Sequence, residues 1–492
     1  MELLPLLDHT SSEPLYSQLY RHIRREIEAG RLVAGSKLPS VRKLASHLGI
    51  SRTPVEAAYQ QLLAEGYAES RPRSGITIRP SEPDLERRSP APPILSTGND
   101  GASARSLSGT GSFPSAPLRQ PDIAIDFAYG DVDLNHFPFS LWKRLLGSCF
   151  LPEHRDLFRY GDPLGEPGFR EAVADYAYRA RAVVCPLERI VVGAGTHHSV
   201  EQICRLLQNT PYSPEATPFA VEGAISNGIA AILRLHGYRL IPLALEPDGI
   251  RIEDLYDSGA RLVYTTPSHQ FPHGMVMSVG KRRRLLNWAA ETGGLIVEDD
   301  YDGEFRYAGL PIPSLQGLDT ASSVIYMGTF SRALAPAFRL SYTALPPALA
   351  DFARAALHPF DRLASPLHQK TLELFMTQGY MQRHIRKMRS VYQRKLAALI
   401  SEVKHRLEPH FRLIGGSAGL HVLLEAADGP EEEQLIRLAG EAGVRVYPTS
   451  VYRIGDDPER PSCTVLLGFG GLGESQIEDG IGRLANAWIP AR

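Results

Sequence analysis

Residues 81–121 constrain this chain more than any other stretch, because nothing in them can build a core. Of these 41 residues, 23 are Ser, Pro, Gly or Ala, and no helical or strand period of apolar positions persists. Such text does not repay the entropy of ordering, and a structureless run this long is foreign to the interior of a compact domain. Two folded units on a tether are therefore expected: residues 12–79, a flexible linker over 80–121, and residues 122–492. The division changes how charge is read. The whole chain has a formal net charge of −2, which argues against nucleic acid, yet residues 1–79 hold 11 Lys/Arg against 8 Asp/Glu. The remainder holds 42 against 47, so a basic unit is attached to an acidic one.

Cysteine and hydropathy narrow the class further. Cys149, Cys185, Cys204 and Cys463 form no close pair, so neither a structural zinc site nor a disulfide framework is expected. No apolar run is long enough to span a bilayer, and the acidic Met1–Asp8 stretch has no signal-peptide pattern. A cytoplasmic protein without a membrane partner is the expectation.

In the small unit, Leu15, Leu19, Ile23 and Ile27 recur at steps of four and predict a helix over Pro14–Glu28. A second helix starts behind Ser40, a good N-cap, carries Val41, Leu44, Ala45 and Leu48, and stops at Gly49. Ser51 opens a third with Val55, Ala58, Tyr59, Leu62 and Leu63, ended by Gly66. Two short strand-like pieces follow, at Tyr67–Ser70 and Gly75–Ile78, around a Pro72/Gly75 turn. Three helices and a hairpin form a winged helix-turn-helix pattern, whose third helix would enter the major groove of DNA. Arg42, Arg52 and Thr53 lie in first helical turns, where arginine forks and helix N-termini suit phosphate and base edges. Arg71 and Arg73 flank the wing tip, and Gly75 lets it turn. Tyr59, Leu62 and Leu63 read as core.

The text LPSVRKLASHLGISRTPVEAAYQQLLAEGYAESRPRSGITI, residues 38–78, resembles the DNA-binding domain of the GntR family of bacterial transcription regulators. The resemblance implies double-stranded promoter DNA as a partner, with Arg42, Ser51, Arg52, Thr53, Arg71 and Gly75 at the contact surface. Pro54 stands where Thr or Arg is common in that family.

The large unit alternates short apolar segments with longer helical ones. Ile190–Val192, Phe219–Val221, Arg261–Tyr264, Gly294–Val297 and Ser323–Met327 read as buried strands ending in polar or Gly-rich text. This predicts an α/β sandwich around a mostly parallel sheet, with ligand chemistry beyond the carboxyl ends of the strands. There Glu298–Tyr301 and Thr329–Arg332 fall, with Arg339 shortly after. A carboxylate, a tyrosine, two hydroxyls and an arginine can hold an anionic aromatic ligand: Asp299 on a protonated ring nitrogen, Tyr301 on a ring oxygen, and Thr329, Ser331 and Arg339 on phosphate. The alternative is that these are strand-end caps and ion pairs.

RYGDPLGEPGFREAVADY (159–176), TPSHQFPHG (266–274), VEDDYDGEFRY (297–307), YMGTFSRALAPAFRLSY (326–342) and RHIRKMRSVYQRK (383–395) resemble a fold-type I pyridoxal-phosphate aminotransferase domain. The whole chain thus resembles the MocR subfamily of GntR regulators. The resemblance implies a large mostly parallel-sheet domain plus a smaller α/β domain, and a homodimer in which Tyr160 reaches the partner's cofactor.

The departure lies at the centre. The family pattern has lysine where this chain has Arg332. Lysine can deprotonate and attack the cofactor aldehyde to form a Schiff base; guanidinium stays charged and is a poor nucleophile. Only eight of the 53 basic residues are lysine, and none lies in a strand-end motif. Lys281 is nearest in sequence but opens a KRRR run that reads as a solvated helix face. The family's stacking tyrosine is replaced by Ser226, its Ser-Gln-Gln by Thr196-His197-His198, and a small Thr by His273. His197 and His198 lack a partner cluster, so no metal site is expected. A regulator with an inactive aminotransferase-like body follows. That body binds no covalent cofactor, but takes pyridoxal phosphate or another phosphorylated or carboxylated effector non-covalently. The alternatives are a true aminotransferase with an appended DNA-binding domain, or a ligand-free dimerisation module.

Overall fold

The computed structural model describes residues 14–28, 31–33, 35–64, 67–71, 75–78, 123–307, 312–357, 363–427, 430–455 and 462–489. The expected linker over 80–121, the wing tip with Arg73, and the helix stop at Gly66 lie outside the described residues.

The small N-terminal unit, called the reader after its expected role, has helices α1 (Leu15–Glu28), α2 (Val41–Leu48) and α3 (Arg52–Ala64), then an antiparallel pair β1 (Ala68–Arg71) and β2 (Gly75–Ile78). The two caps of α2 fall where the sequence places them. Ser40 Oγ accepts from the Lys43 amide at 3.3 Å, and Gly49 closes α2 at φ 64°, a conformation that costs a residue with a Cβ. Leu19, Ile23, Ile27, Leu44, Val55, Ala58, Tyr59 and Leu62 form the core, so Tyr59 and Leu62 are packing residues. The Tyr59 hydroxyl donates to the Pro39 carbonyl at 2.9 Å, tying α3 to the entry of α2.

The body is built on seven strands: β3 (Ile190–Gly193), β4 (Phe219–Glu222), β5 (Leu240–Leu243), β6 (Leu262–Thr265), β7 (Leu295–Asp300), β8 (Val324–Thr329) and β9 (Ser341–Ala344). Their order across the sheet is β3-β9-β8-β7-β6-β4-β5, with β9 antiparallel to both neighbours and the other pairings parallel. Near-continuous burial of β4, β6, β7 and β8 reflects helices on both faces. Among those helices are α4 (Thr196–Leu207), which follows β3, and α5 (Val279–Thr292), which leads into β7.

The smaller α/β unit begins with the long helix α6 (Tyr380–Arg406). A four-stranded antiparallel sheet follows, of β10 (Phe411–Ile414), β11 (His421–Ala426), β12 (Tyr447–Pro448) and β13 (Thr464–Gly468), covered by α7 (Glu474–Trp488). Ile125–Asp126 pairs in parallel with Val444–Arg445, so the first described segment of the body is stitched to its last unit. The fold class matches the expectation for residues 14–78 and for residues 123–489. All four cysteines are free. No helix is long and apolar enough to cross a membrane.

One expectation fails. The KRRR run is not a solvated face: Lys281 and Arg282 are buried. Lys281 Nζ lies 2.5 Å from Glu246 Oε2 and 2.6 Å from Asp248 Oδ1. Arg282 donates to the carbonyls of Pro267, Met277 and Pro313 at 2.7, 3.1 and 3.0 Å, and its Nη1 lies 3.9 Å from Glu298. A guanidinium with five donors can take the interior when carbonyls and a carboxylate await it, which sequence periodicity does not reveal.

Candidate functional site

On the reader, Arg42 stands exposed in the first turn of α2, and Ser51, Arg52 and Thr53 are exposed at the start of α3. Four of the six expected contact residues are therefore exposed at two helix N-termini. Arg71 ends β1 and Gly75 begins β2, at the base of the wing.

In the body, β7 and β8 deliver their last residues to a cavity of about 290 Å³. Asp299, Tyr301, Thr329, Ser331, Arg332 and Arg339 all line it, so six of the seven expected residues converge. Tyr160 does not; it is 95% exposed and borders a separate recess with Arg159 and Asp162.

At the floor, Asp299 is buried and accepts from the Tyr264 hydroxyl at 2.5 Å. Burial pushes its carboxyl up to about 7; Tyr264 opposes this, while Asp300, Asp302 and Glu222 add to it. Tyr301 donates to the His269 carbonyl at 2.8 Å, and burial raises its phenol well above the usual range. Behind it, His269 Nδ1 lies 2.8 Å from Asp302 Oδ2, a hydrogen-bond separation that fixes the imidazole. His421 packs beside His269 with ring centroids 4.7 Å apart, so these two imidazoles and Asp302 form a buried group invisible in the sequence.

The other end is an anion cradle. Arg339, at φ 47° after a single 3₁₀ turn, presses its guanidinium against Gly195; a Cβ there would lie 2.3 Å from Nη2. Gly195 precedes α4, so the cradle joins a guanidinium to the positive end of a helix and its free amides. Thr329 Oγ1 lies 3.1 Å from Ser331 Oγ and accepts from the Ser331 amide at 3.3 Å. Thr196 and His197 complete the rim. Burial and Arg339 both depress His197, which favours neutral imidazole. His198 turns away, its Nδ1 accepting from the Ala194 amide at 2.9 Å. The two histidines therefore face different ways.

Arg332 lies between floor and cradle, its guanidinium carbon 4.2 Å from the Tyr129 ring centroid. Burial works against its charge, but Tyr129, Asp302 and Tyr301 outweigh it and the net shift is upward. Gly130, at φ 117°, would bring a Cβ within 3.4 Å of Arg332 Nη1. Ser226 lines the wall with Ile225 and Ile229, whereas His273 is held by Gln270 Oε1 at 3.1 Å and is not a lining residue. Sequence reasoning missed Tyr129, Tyr264, Glu222 and Gly195; Tyr264 and Glu222, at strand ends, carried a readable signal.

Fold and cavity define a class: a winged DNA reader joined to a fold-type I aminotransferase body. Residues 15–78 match the family of bacterial regulatory proteins, gntR family, and residues 123–464 match aminotransferase class I and II. The chain belongs to the HTH-type transcriptional regulators that join these two domains. It is 37% identical to the HTH-type transcriptional regulator YdeL of Bacillus subtilis, over 99% of this chain and all of that one. It is 34% identical to the probable rhizopine catabolism regulatory protein MocR of Rhizobium meliloti, over 98% of this chain and 96% of that one. The body resembles the multiple substrate aminotransferase of Thermococcus profundus, with a TM-score of 0.68 and 26% identity over 75% of this chain and 92% of that one.

Proposed function

We propose that the body of this transcription regulator is catalytically inactive and pairs as a homodimer, and that it senses a small phosphorylated or carboxylated effector without covalent attachment to lysine. The carrying observation is the composition of the cavity. It has two guanidinium groups, a helix N-terminus and two buried carboxyls, and no lysine among its described lining residues.

Pyridoxal phosphate fits this set in part. Asp299 would meet its ring nitrogen and Tyr301 its ring oxygen, while Thr329, Ser331, Arg339 and the α4 N-terminus would take its phosphate. When bound, such a group supplies an electron-withdrawing ring to an attached amine. Arg332 has no free lone pair for anchoring it and serves instead as a fixed cation for a phosphate or carboxylate. Lys281 is held by Glu246 and Asp248, and Lys395 by Asp133 at 2.7 Å, so neither substitutes for it.

Dimerisation is supported by an exposed aromatic patch. Phe150 and Phe158 pack on each other at 5.6 Å beside exposed Leu151, and Tyr160 stands close to this patch in sequence. Tyr160 then extends toward the cavity of a second copy. Arg42, Arg52, Thr53 and Ser51 bind promoter DNA with Arg71 and the Gly75 wing, and DNA as partner places the protein in the cytoplasm. Occupancy regulates by linkage: an effector that binds two domain arrangements unequally shifts the DNA-competent population.

The test adds pyridoxal phosphate to the full-length protein, reduces with borohydride and maps adducts by mass spectrometry. No lysine adduct is expected; a trapped lysine contradicts the reading and restores the aminotransferase alternative. A melt against phosphorylated and carboxylated compounds complements it. A stabilising shift is expected with at least one; no shift with any supports a ligand-free module.

A further inference from the structure

Arg332 is a buried cation for which the protein supplies no close counter-ion. It is 9% exposed, and no carboxylate among the described residues forms an ion pair with it. Its guanidinium has the Tyr129 ring, with the centroid 4.2 Å away, and the longer-range field of Asp302. The two carboxyls of the cavity wall are engaged elsewhere. Asp299 accepts from the Tyr264 hydroxyl at 2.5 Å. Glu222 accepts from the Thr265 and Thr266 hydroxyls at 2.6 Å each, from the Thr266 amide at 2.9 Å and from Gln270 at 3.1 Å. Burial raises both carboxyls, and burial with Arg339 holds His197 toward the neutral form. The lining thus sets two permanent cations against two acids that resist ionisation. A buried charge left in that state is costly until an anion pairs with it.

The two cations offer different donor sets. Arg339 stands against Gly195 at the start of α4, where helix amides and the hydroxyls of Thr329 and Ser331 add donors for the three terminal oxygens of a phosphate. Arg332 offers one planar fork backed by an aromatic ring, which matches the two oxygens of a carboxylate. A neutral aldehyde or hydroxymethyl group accepts a hydrogen bond there but leaves the charge unpaired. A cavity of about 290 Å³ lies at the small end of ligand pockets, roughly 300–1,000 Å³, so both anions belong to one compact molecule. Tyr129, Phe271, Ile225 and Ile229 supply apolar wall for its ring.

We propose that the effector carries two anions on a single ring: a phosphate monoester seated at Arg339 and the start of α4, and a carboxylate seated at Arg332. The carboxylate stands where the aminotransferase-like pattern brings an aldehyde to lysine, so the preferred ligand is the carboxylate counterpart of that aldehyde. This deepens the non-covalent sensing proposed above and rests on it.

The test is calorimetry on full-length protein with two probes that share a ring and a phosphate. Pyridoxine phosphate carries a neutral hydroxymethyl group where pyridoxic acid phosphate carries a carboxylate, and neither has an aldehyde for a lysine to trap. Wild type should bind pyridoxic acid phosphate at least about tenfold more tightly than pyridoxine phosphate. Arg332→Gln should bring the two affinities within about twofold of each other by weakening only the carboxylate probe, whereas Arg332→Lys, which keeps a cation, should retain a preference of at least about threefold. Arg339→Gln should weaken both probes by at least about tenfold and leave their ratio unchanged. A smaller preference in wild type overturns the inference without any substitution, and so does a preference that survives Arg332→Gln. If neither probe binds while another phosphorylated or carboxylated compound stabilises the protein in the melt, the inference falls and the sensing role stands. If no compound stabilises it, the sensing role falls as well.

Discussion

At position 332 one side chain selects between two chemistries. The cavity keeps buried carboxyls, tyrosines and an anion cradle, but neither of its two guanidinium groups has a usable lone pair. Arg332→Lys should therefore gain what the wild-type protein lacks: after pyridoxal phosphate and borohydride, mass spectrometry should find an adduct at residue 332. Absence of the adduct in a folded variant would show that more than one residue blocks attachment. Asp299 sets a second prediction. Its carboxyl sits at about 7, so it is largely protonated below that pH and ionised above it. Only the ionised form pairs with a cationic ring. Affinity for an N-methylated pyridinium phosphate should rise by up to about tenfold from about pH 6 to about pH 8. Asp299→Asn should remove that dependence in the same titration. Arg332, Asp299 and Arg339 were legible in the sequence because each lies in or just beyond a strand-end run. Tyr129, which stacks on Arg332, was not, since its contact joins segments far apart in the chain.

Elements do what residue types alone do not. The cradle depends on the start of α4 and on Gly195, whose φ of 94° and contact with Arg339 leave no room for a side chain. Gly195→Ala should cut affinity for phosphorylated ligands by at least about tenfold, read by calorimetry, because guanidinium and helix amides can no longer converge. A larger effect on stability is expected in α5. Arg282→Ala takes a side-chain donor from three buried carbonyls and the nearby cation from buried Glu298, which keeps the Leu315 and Gln316 amides, and should cost about 3–5 kcal/mol in denaturant unfolding. The reader helices were legible to within a residue or two, because a four-step apolar period and a glycine stop act locally. The KRRR run was misread because a buried arginine and a solvated one look alike until tertiary carbonyls are in place. The same limit hid the group formed by His269, Asp302 and His421.

For the molecule as a whole, the exposed contact residues of the reader and the cavity of the body lie on separate folded units, with the expected linker between them in sequence. In the proposed division of labour, DNA recognition belongs to the first and ligand recognition to the second. Much of this organisation was readable, since the winged-helix and aminotransferase-like patterns lie on either side of residues 80–121. How the units meet was not readable, because the contact of Tyr67 with Arg283 belongs to neither pattern. The division of labour is tested most directly by DNA binding of three full-length proteins: wild type, Arg42→Ala with Arg52→Ala, and Arg332→Ala. The double variant should lose about 2–6 kcal/mol of binding to an enriched duplex, at about 1–3 kcal/mol per lost arginine contact, while Arg332→Ala matches wild type in the absence of ligand. Equal affinity of the double variant and wild type would contradict the account.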